Sequence, residues 1–492
     1  MLLFSLLFSC RTKEQDTAEA TTYQFPSPSE MLPLRGTGAP KISFSADQLF
    51  QNCAVLDGGE QDALHHNLVV PYRGHLVMPW VPEWGQGGIS FFDMEDPCNP
   101  QKVGEGFHER MRESHAIGFA TLSEEEEWAV TTGTLGIQFW DINNLEMPEM
   151  INYLEIEGIF YPDSYARVVL SVFWQYPWVY VAGADNGLYI VDATDPVNAT
   201  LVTHYQFENP LRAAGVFAIG NQLLVTSAEG SVAEILDISD PVNPLPIGGG
   251  RFEALDGNGE PKEAYHGNLV GNYALFARKQ GGGGLIAMDI SDPTNPTYAG
   301  DAFTEGGNGG YVFLHENYGF VGDSHWGKVF DMTDMSDIKE VGTGYLEGDL
   351  DTMTPFGNIA VLSVDEDAIN EEASVVMPWH TDPDTNPPIL VRTVPTDGEE
   401  NVAITSRIGL GFNEFIEPTS VFAGSIQLFD QDGNAVEGWG SAQEATGNYT
   451  PKEPLLAGTT YTLKIMADGV QDISGNQFAE TQTITFKTAG AR

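Results

Sequence analysis

Short apolar runs recur along most of the chain, and each is followed by an acidic turn. Six read as a small residue, an apolar run and then Asp: GISFFD ending at Asp93, GIQFWD at Asp141, GLYIVD at Asp192, VAEILD at Asp237, GLIAMD at Asp289 and GKVFD at Asp331. They stand 48, 51, 45, 52 and 42 residues apart. Runs this short and this β-rich predict strands rather than helices. A second apolar run precedes each one (HLVMPW, EWAVTT, WVYVAG, QLLVTS, YALFAR, YGFVG), usually across a Gly-rich step, so each pair predicts a hairpin. A further strand ahead of it, as in YHGNLVG and GYVFLHE, brings the unit to about four strands.

After the motif Asp the chain enters a turn: DPCNP from Asp96, DPVNA from Asp195, DPVNP from Asp240 and DPTNP from Asp292. Proline cannot donate to a sheet ladder, and Asn is expected to cap the turn through its side chain. A seventh, degenerate copy is SVVMPWHTDPDTNPP, in which Trp379 is expected to take the place of the motif Asp and Asp382-Pro383 matches the turn. A four-stranded unit repeated about seven times predicts a β-propeller, with an open β-solenoid as the alternative. The stretch ISFSADQLF at 42–50 is expected to supply the strand that closes the last blade.

From about Pro388 the period breaks. Strands alternate apolar and polar residues at roughly ten-residue spacing between Pro, Gly and Asp turns, which predicts a β-sandwich. The fold class is therefore all-β, a seven-bladed propeller followed by a β-sandwich, which the resemblance below makes Ig-like. The expected organisation is a signal segment at 1–10, a flexible tether at 11–45, the propeller at 46–387 and the sandwich at 388–492.

Two resemblances sharpen this. GLYIVDATDPVNA and GLIAMDISDPTNP resemble the LVIVD repeat of bacterial surface proteins, which implies a propeller on an exported protein and implies no activity. The C-terminal segment resembles the bacterial Ig-like module of S-layer type, on Pro395, Asp397-Gly398, Phe412, Glu417-Pro418-Thr419, Gly458 to Tyr461, Asp472, Gly475-Asn476 and Phe486. That resemblance implies a spacer or adhesion domain without catalytic residues.

Charge narrows the partners. Among 492 residues, 70 are acidic and 22 basic, a net charge of −48. Such a polyanion repels nucleic acid and anionic membrane surfaces. A protein or glycan at the cell surface is the expected partner, and the membrane is met only through a lipid anchor. The opening MLLFSLLFSC followed by RTKEQDTAEATT resembles a bacterial lipoprotein signal with Cys10 as the lipidated residue, although a basic start is missing and Phe8 is large for its place. The expected location is the outer membrane or cell surface. Cys53 and Cys98 then remain, and they can form one disulfide if their Cα atoms lie close enough.

Candidate chemistry sits on the innermost strands. His66, His115, Arg167 and His266 fall at near-equivalent repeat positions before apolar runs. Converging imidazoles can bind a transition metal; the alternative is hydrogen bonding to a neighbouring blade. Calcium is a second candidate at LDGNGE from Asp256 and DQDGNAVEG from Asp430, although neither has a complete loop and Asx turns need no ion. The EEEE run at 124–127 is expected to be a solvated hairpin surface. No cofactor is required by any motif. The reading is a non-catalytic binding or scaffold protein, with a metal-dependent hydrolase or oxidoreductase using the channel as the alternative.

Overall fold

The computed structural model describes residues 23–27, 38–57, 68–81, 84–123, 126–161, 165–279, 281–366, 368–369 and 372–491. Up to Pro378 the chain is a succession of antiparallel groups, mostly four-stranded, arranged as a propeller. Three are separate sheets, beginning with the strands Ser171–Gln175, Ala213–Ile219 and Ala264–Val270. A larger sheet spanning Val70–Tyr72 to Glu149–Glu155 is joined in its middle by the single pair Met111↔Gly133. Another is joined through the long strand Lys339–Phe356, whose first half pairs with Tyr318–Asp331 and whose second half pairs with Ile359–Glu366. Divided at these two joins, the described strands make six groups of four and one of three, the last formed by Gly309–His315, the long strand Tyr318–Asp331 and the first half of Lys339–Phe356.

Burial gives each blade its direction. First strands such as Ala213–Ile219 and Gly309–His315 are buried throughout, whereas fourth strands such as Thr200–Tyr205 are half-buried to exposed. The first strand is therefore the inner one, packed between its neighbours around the axis.

The repeated aspartates explain the sequence period physically. Each motif Asp ends the third strand and turns its side chain onto the amide two residues later. Asp93 accepts from Glu95 N at 2.8 Å, Asp141 from Asn143 N at 3.0 Å, Asp192 from Thr194 N at 2.9 Å, and Asp237 from Ser239 N at 2.8 Å. Asp289 and Asp331 do the same. The second Asp repeats the device, as when Asp240 accepts from Val242 N at 3.1 Å. The turn is thus capped by the aspartate side chains, with Asn144 in the second repeat accepting from Glu146 N in the place of the second Asp, and not by the Asn that follows the Pro step.

Two register expectations are corrected. In the seventh repeat Ile359 faces Pro378, the place held by a motif Asp where Gln222 faces Asp237 and Tyr273 faces Asp289. Trp379 is one position later: its N–H donates to Asn358 O, the bond that Ile238 and Ile290 make to Asn221 and Asn272. The strand closing this blade is Ala54–Leu56, paired with Ser374–Pro378, and not the 42–50 stretch. That stretch ends in turns and is held alongside by Phe44 N→Thr381 O and Phe50 N→Pro378 O, both 2.8 Å.

The C-terminal module is a sandwich of a four-stranded and a five-stranded sheet. Alternation is strict on Thr460–Ile465 and Gln482–Thr488, which send Tyr461, Leu463, Ile465, Ile484 and Phe486 into a core with Ile408, Leu410 and Phe412. The module lies against the face formed by the turns between first and second blade strands. Arg407, only 3% exposed, donates to Gln175 Oε1 at 2.7 Å and to Ile238 O. Asn448 Oδ1 accepts from Gly220 N and from Gln175 Nε2, each at 2.8 Å. Gln443 Oε1 accepts from Trp174 N, and its amide donates to Val172 O. Described parts of the expected tether are also packed, with Phe25 against Phe429 and Ala39 N bonded to Ile473 O.

Candidate functional site

Inner strands end at the C-terminal module and begin at the far end of the channel. Near their starts several of them carry a register shift, among them the shifts between Ala264 and Gly267 and between Gly309 and Val312. A bulge re-aims the displaced side chains. Here those include Tyr265, His266 and Tyr311, and the three gather with His115, which lies in the connection before Gly118–Ser123.

The centre of the group is a bond across the ring. His115 belongs to the second blade and His266 to the fifth, yet His115 Nδ1 lies 3.0 Å from His266 Nε2. Glu113 Oε1 is 2.8 Å from His115 Nε2 and accepts from Arg112 Nη2 at 2.6 Å. A carboxylate only accepts, so His115 holds a proton on Nε2 against Glu113, and a single hydrogen is shared between His115 Nδ1 and His266 Nε2. Arg112 Nη1 donates to Val169 O at 3.2 Å, which fixes the guanidinium. The result is a buried chain Arg112–Glu113–His115–His266, every member less than 5% exposed.

Electrostatics keep the far member neutral. Burial pushes the His266 pKa well below its ordinary range, and the neighbouring His115 and Lys279 push the same way. Tyr311 stacks on His266 at 4.3 Å with the rings 6° from parallel. Burial first, then Asp351 and Glu113, pushes the Tyr311 pKa up, and its hydroxyl has no hydrogen-bond partner among the described residues. The group can hold or relay a proton along the imidazoles. The two facing ring nitrogens are committed to each other, not turned together toward a common ion.

Of the residues singled out by sequence, the structure brings His115 and His266 together. Arg167, on the short 3₁₀ turn Tyr165–Arg167, is exposed rather than buried with the pair. His66 lies outside the described residues. Arg112, Glu113, Tyr265 and Tyr311 were not anticipated; the signal available was the charged run MRESH leading into an apolar inner strand. Cys53 and Cys98 are disulfide-bonded, with Cα atoms 5.0 Å apart. Cys10 lies outside the described residues.

Other candidates resolve into structure. Asp256 accepts from Asn258 N and Glu260 N and pairs with Lys262 Nζ at 2.9 Å. Asp430 accepts from Asp432 N and Asn434 N. Both are Asx turns whose oxygens already have donors. The EEEE run is not wholly a solvated surface: Glu127 is 4% exposed and accepts from Tyr72 Oη and Arg73 Nη1, each at 2.8 Å. Burying a carboxylate demands such partners, and these come from the adjoining blade.

Comparison with known families identifies two kinds of module in this chain. The LVIVD repeat matches over residues 177–206 and 268–304, and the bacterial Ig-like domain over 384–488. No curated protein matches the chain in sequence. Solved structures that resemble it include the β-propeller domain of Myceliophteria thermophila Cps50 (10% identity, TM-score 0.47, covering 66% of this chain and 98% of that one). The Neurospora crassa Pan2 WD40 domain shows 11% identity and a TM-score of 0.45, covering 64% and 90%. The Pseudomonas aeruginosa periplasmic gluconolactonase shows 8% identity and a TM-score of 0.46, covering 58% and 86%. Among the described residues no helix is long and apolar enough to cross a membrane.

Proposed function

We propose that this chain is a bacterial cell-surface protein that binds a partner rather than transforming one, tethered by a lipid on Cys10. The observation that carries the binding reading is the His115–His266 bond. The imidazoles nearest the axis are used to join opposite blades, so they serve the ring's integrity before any chemistry. The sandwich supports the same reading, since Arg407, Gln443 and Asn448 fasten it to the propeller and make the two modules one presenting body. Between Cys10 and the packed Tyr23, an extended chain reaches roughly 40 Å, enough to hold that body clear of a bilayer. Exposed rings suit a glycan or protein partner: Trp326 and Tyr345 stand edge-on 4.8 Å apart, each more than 40% exposed.

Two experiments test this. Cells expressing the full chain are labelled with a fatty-acid probe; label on the wild type and none on Cys10→Ala is the expected result, and label on both overturns the anchor. The purified protein and His266→Ala are screened against lactone, ester and phosphoester panels while both are used to capture surface glycans and proteins. Capture that survives His266→Ala, without turnover, is expected. Turnover lost in His266→Ala replaces the reading with an enzyme.

A further inference from the structure

We propose that the junction between propeller and sandwich holds a transition-metal dication, ligated by His315, Asp384 and Glu414, which staples the two modules together. His315 is the last residue of an inner blade strand, Asp384 lies in the connection that leaves the propeller, and Glu414 follows the sandwich strand Ile408–Phe412. One ligand atom from each lies within 4.8 Å of the others. Trans ligands at a metal bond of about 2.1 Å stand about 4.2 Å apart, so small side-chain shifts close the shell.

Proximity alone would be weak; the state of Glu414 is not. It is fully buried, and neither of its carboxylate oxygens has a hydrogen bond among the described residues. Burial pushes the Glu414 pKa up, and ionising such a carboxyl is costly unless a cation meets it. The imidazole of His315 meets it only at long range and is divided between two carboxylates. His315 Nδ1 stands 3.3 Å from Glu414 Oε2, and Nε2 stands 3.8 Å from Asp384 Oδ2. Charge-assisted hydrogen bonds lie near 2.7–2.9 Å. A further carboxyl group crowds the site: Asp472, also fully buried, shares the Asn476 amide with Asp384, and burial, then Glu414 and Asp384, push its pKa up. Lys41 sits outside on Asp384 O and Asn476 Oδ1 and is exposed. A nitrogen donor beside carboxylates selects zinc or manganese over calcium, whose ligands are oxygens.

The inference is independent of the surface-binding proposal. The full chain is stripped with chelator, offered Zn²⁺, Mn²⁺ or Ca²⁺ in turn, freed of excess ion and analysed for retained metal. About one equivalent of zinc or manganese per chain is expected in the wild type and in His266→Ala, with none in Glu414→Gln. The retained ion is expected to raise the wild-type melting temperature and to slow proteolysis between residues 379 and 389. Ion-free Glu414→Gln should melt at or above ion-free wild type, since it loses a buried ionisable group. No retained ion, retention undiminished in Glu414→Gln, a response to calcium alone, or loss in His266→Ala each overturns the assignment. So does a Glu414→Gln protein that melts below ion-free wild type.

Discussion

Replacing Cys53 and Cys98 together by Ser is expected to destabilise the propeller by about 4 kcal/mol. Cys53 sits beside Ala54–Leu56, the strand that completes the seventh blade, and Cys98 sits on the turn DPCNP of the first. The bond therefore ties the two ends of the ring. Without it the closing strand relies on three paired residues, the Cys53 N→Val376 O bond and the buried Leu56. The cysteines are 45 residues apart, and a covalent loop of that size removes about 4 kcal/mol of conformational freedom from the unfolded chain at 25 °C. That is roughly a thousandfold in the unfolding equilibrium. Urea unfolding followed by tryptophan fluorescence measures it on oxidised wild type, reduced wild type and the double variant. The last two should coincide and fall below the first, and amides of Ala54–Leu56 should exchange faster in both. Coincidence of all three curves would refute the reasoning, because the ring would then be closed by blade packing alone.

Glu417 gives a pH signature at the junction. Burial raises its pKa from 4.5 to about 7, even though Arg73 N and Thr419 donate to it. The folded state then holds a proton that the unfolded state releases, so this group's stabilisation is full below pH 4.5 and is lost as pH rises through 7. The whole term is about 3 kcal/mol. The stability of wild type relative to Glu417→Gln should fall between pH 5 and 8, as followed by thermal melts; a flat difference removes the burial argument. Gly409→Ala tests the docking itself. A Cβ there meets Gly220 N at 2.2 Å and the Ile219 carbonyl carbon at 2.5 Å, and backbone cannot swing aside as a side chain can. Small-angle scattering should show a larger radius of gyration and partial separation of the modules, whereas an unchanged profile would mean that the face yields.

What could be read from the sequence was whatever a repeat writes several times over. The blade strands and the Asp turns were legible because each motif Asp must cap the same backbone amide, and one chemical need repeated at about 48-residue spacing is visible without coordinates. The seventh copy misled by one position. Pro378 holds the motif place there and the bulky Trp379 follows it, so the apolar pattern no longer marks where the strand ends. His115 and His266 were found because an imidazole ahead of an apolar run is conspicuous. Arg112 and Glu113 were missed because their meaning depends on a bond between blades two and five.

The junction was illegible for a deeper reason. The residues that fasten the sandwich to the propeller occur once each, so no internal repeat announces them. Arg407, Gln443 and Asn448 look like ordinary polar positions on strands with one wet face, and the resemblance that implied a spacer or adhesion domain says nothing of how they dock. Only their partners reveal it, and apart from the Gln175 side chain those partners are backbone groups: Ile238 O, Trp174 N, Val172 O and Gly220 N. A backbone group has no sequence signature, so an interface built on them leaves its trace on one side only. The same asymmetry governs Glu414. A glutamate after an apolar strand reads as a surface residue until the other module covers it and leaves its carboxylate dry. At that point burial turns an unremarkable residue into one whose ionised form calls for a cation, and so the docking that hid the proposed site from the sequence is also what creates it.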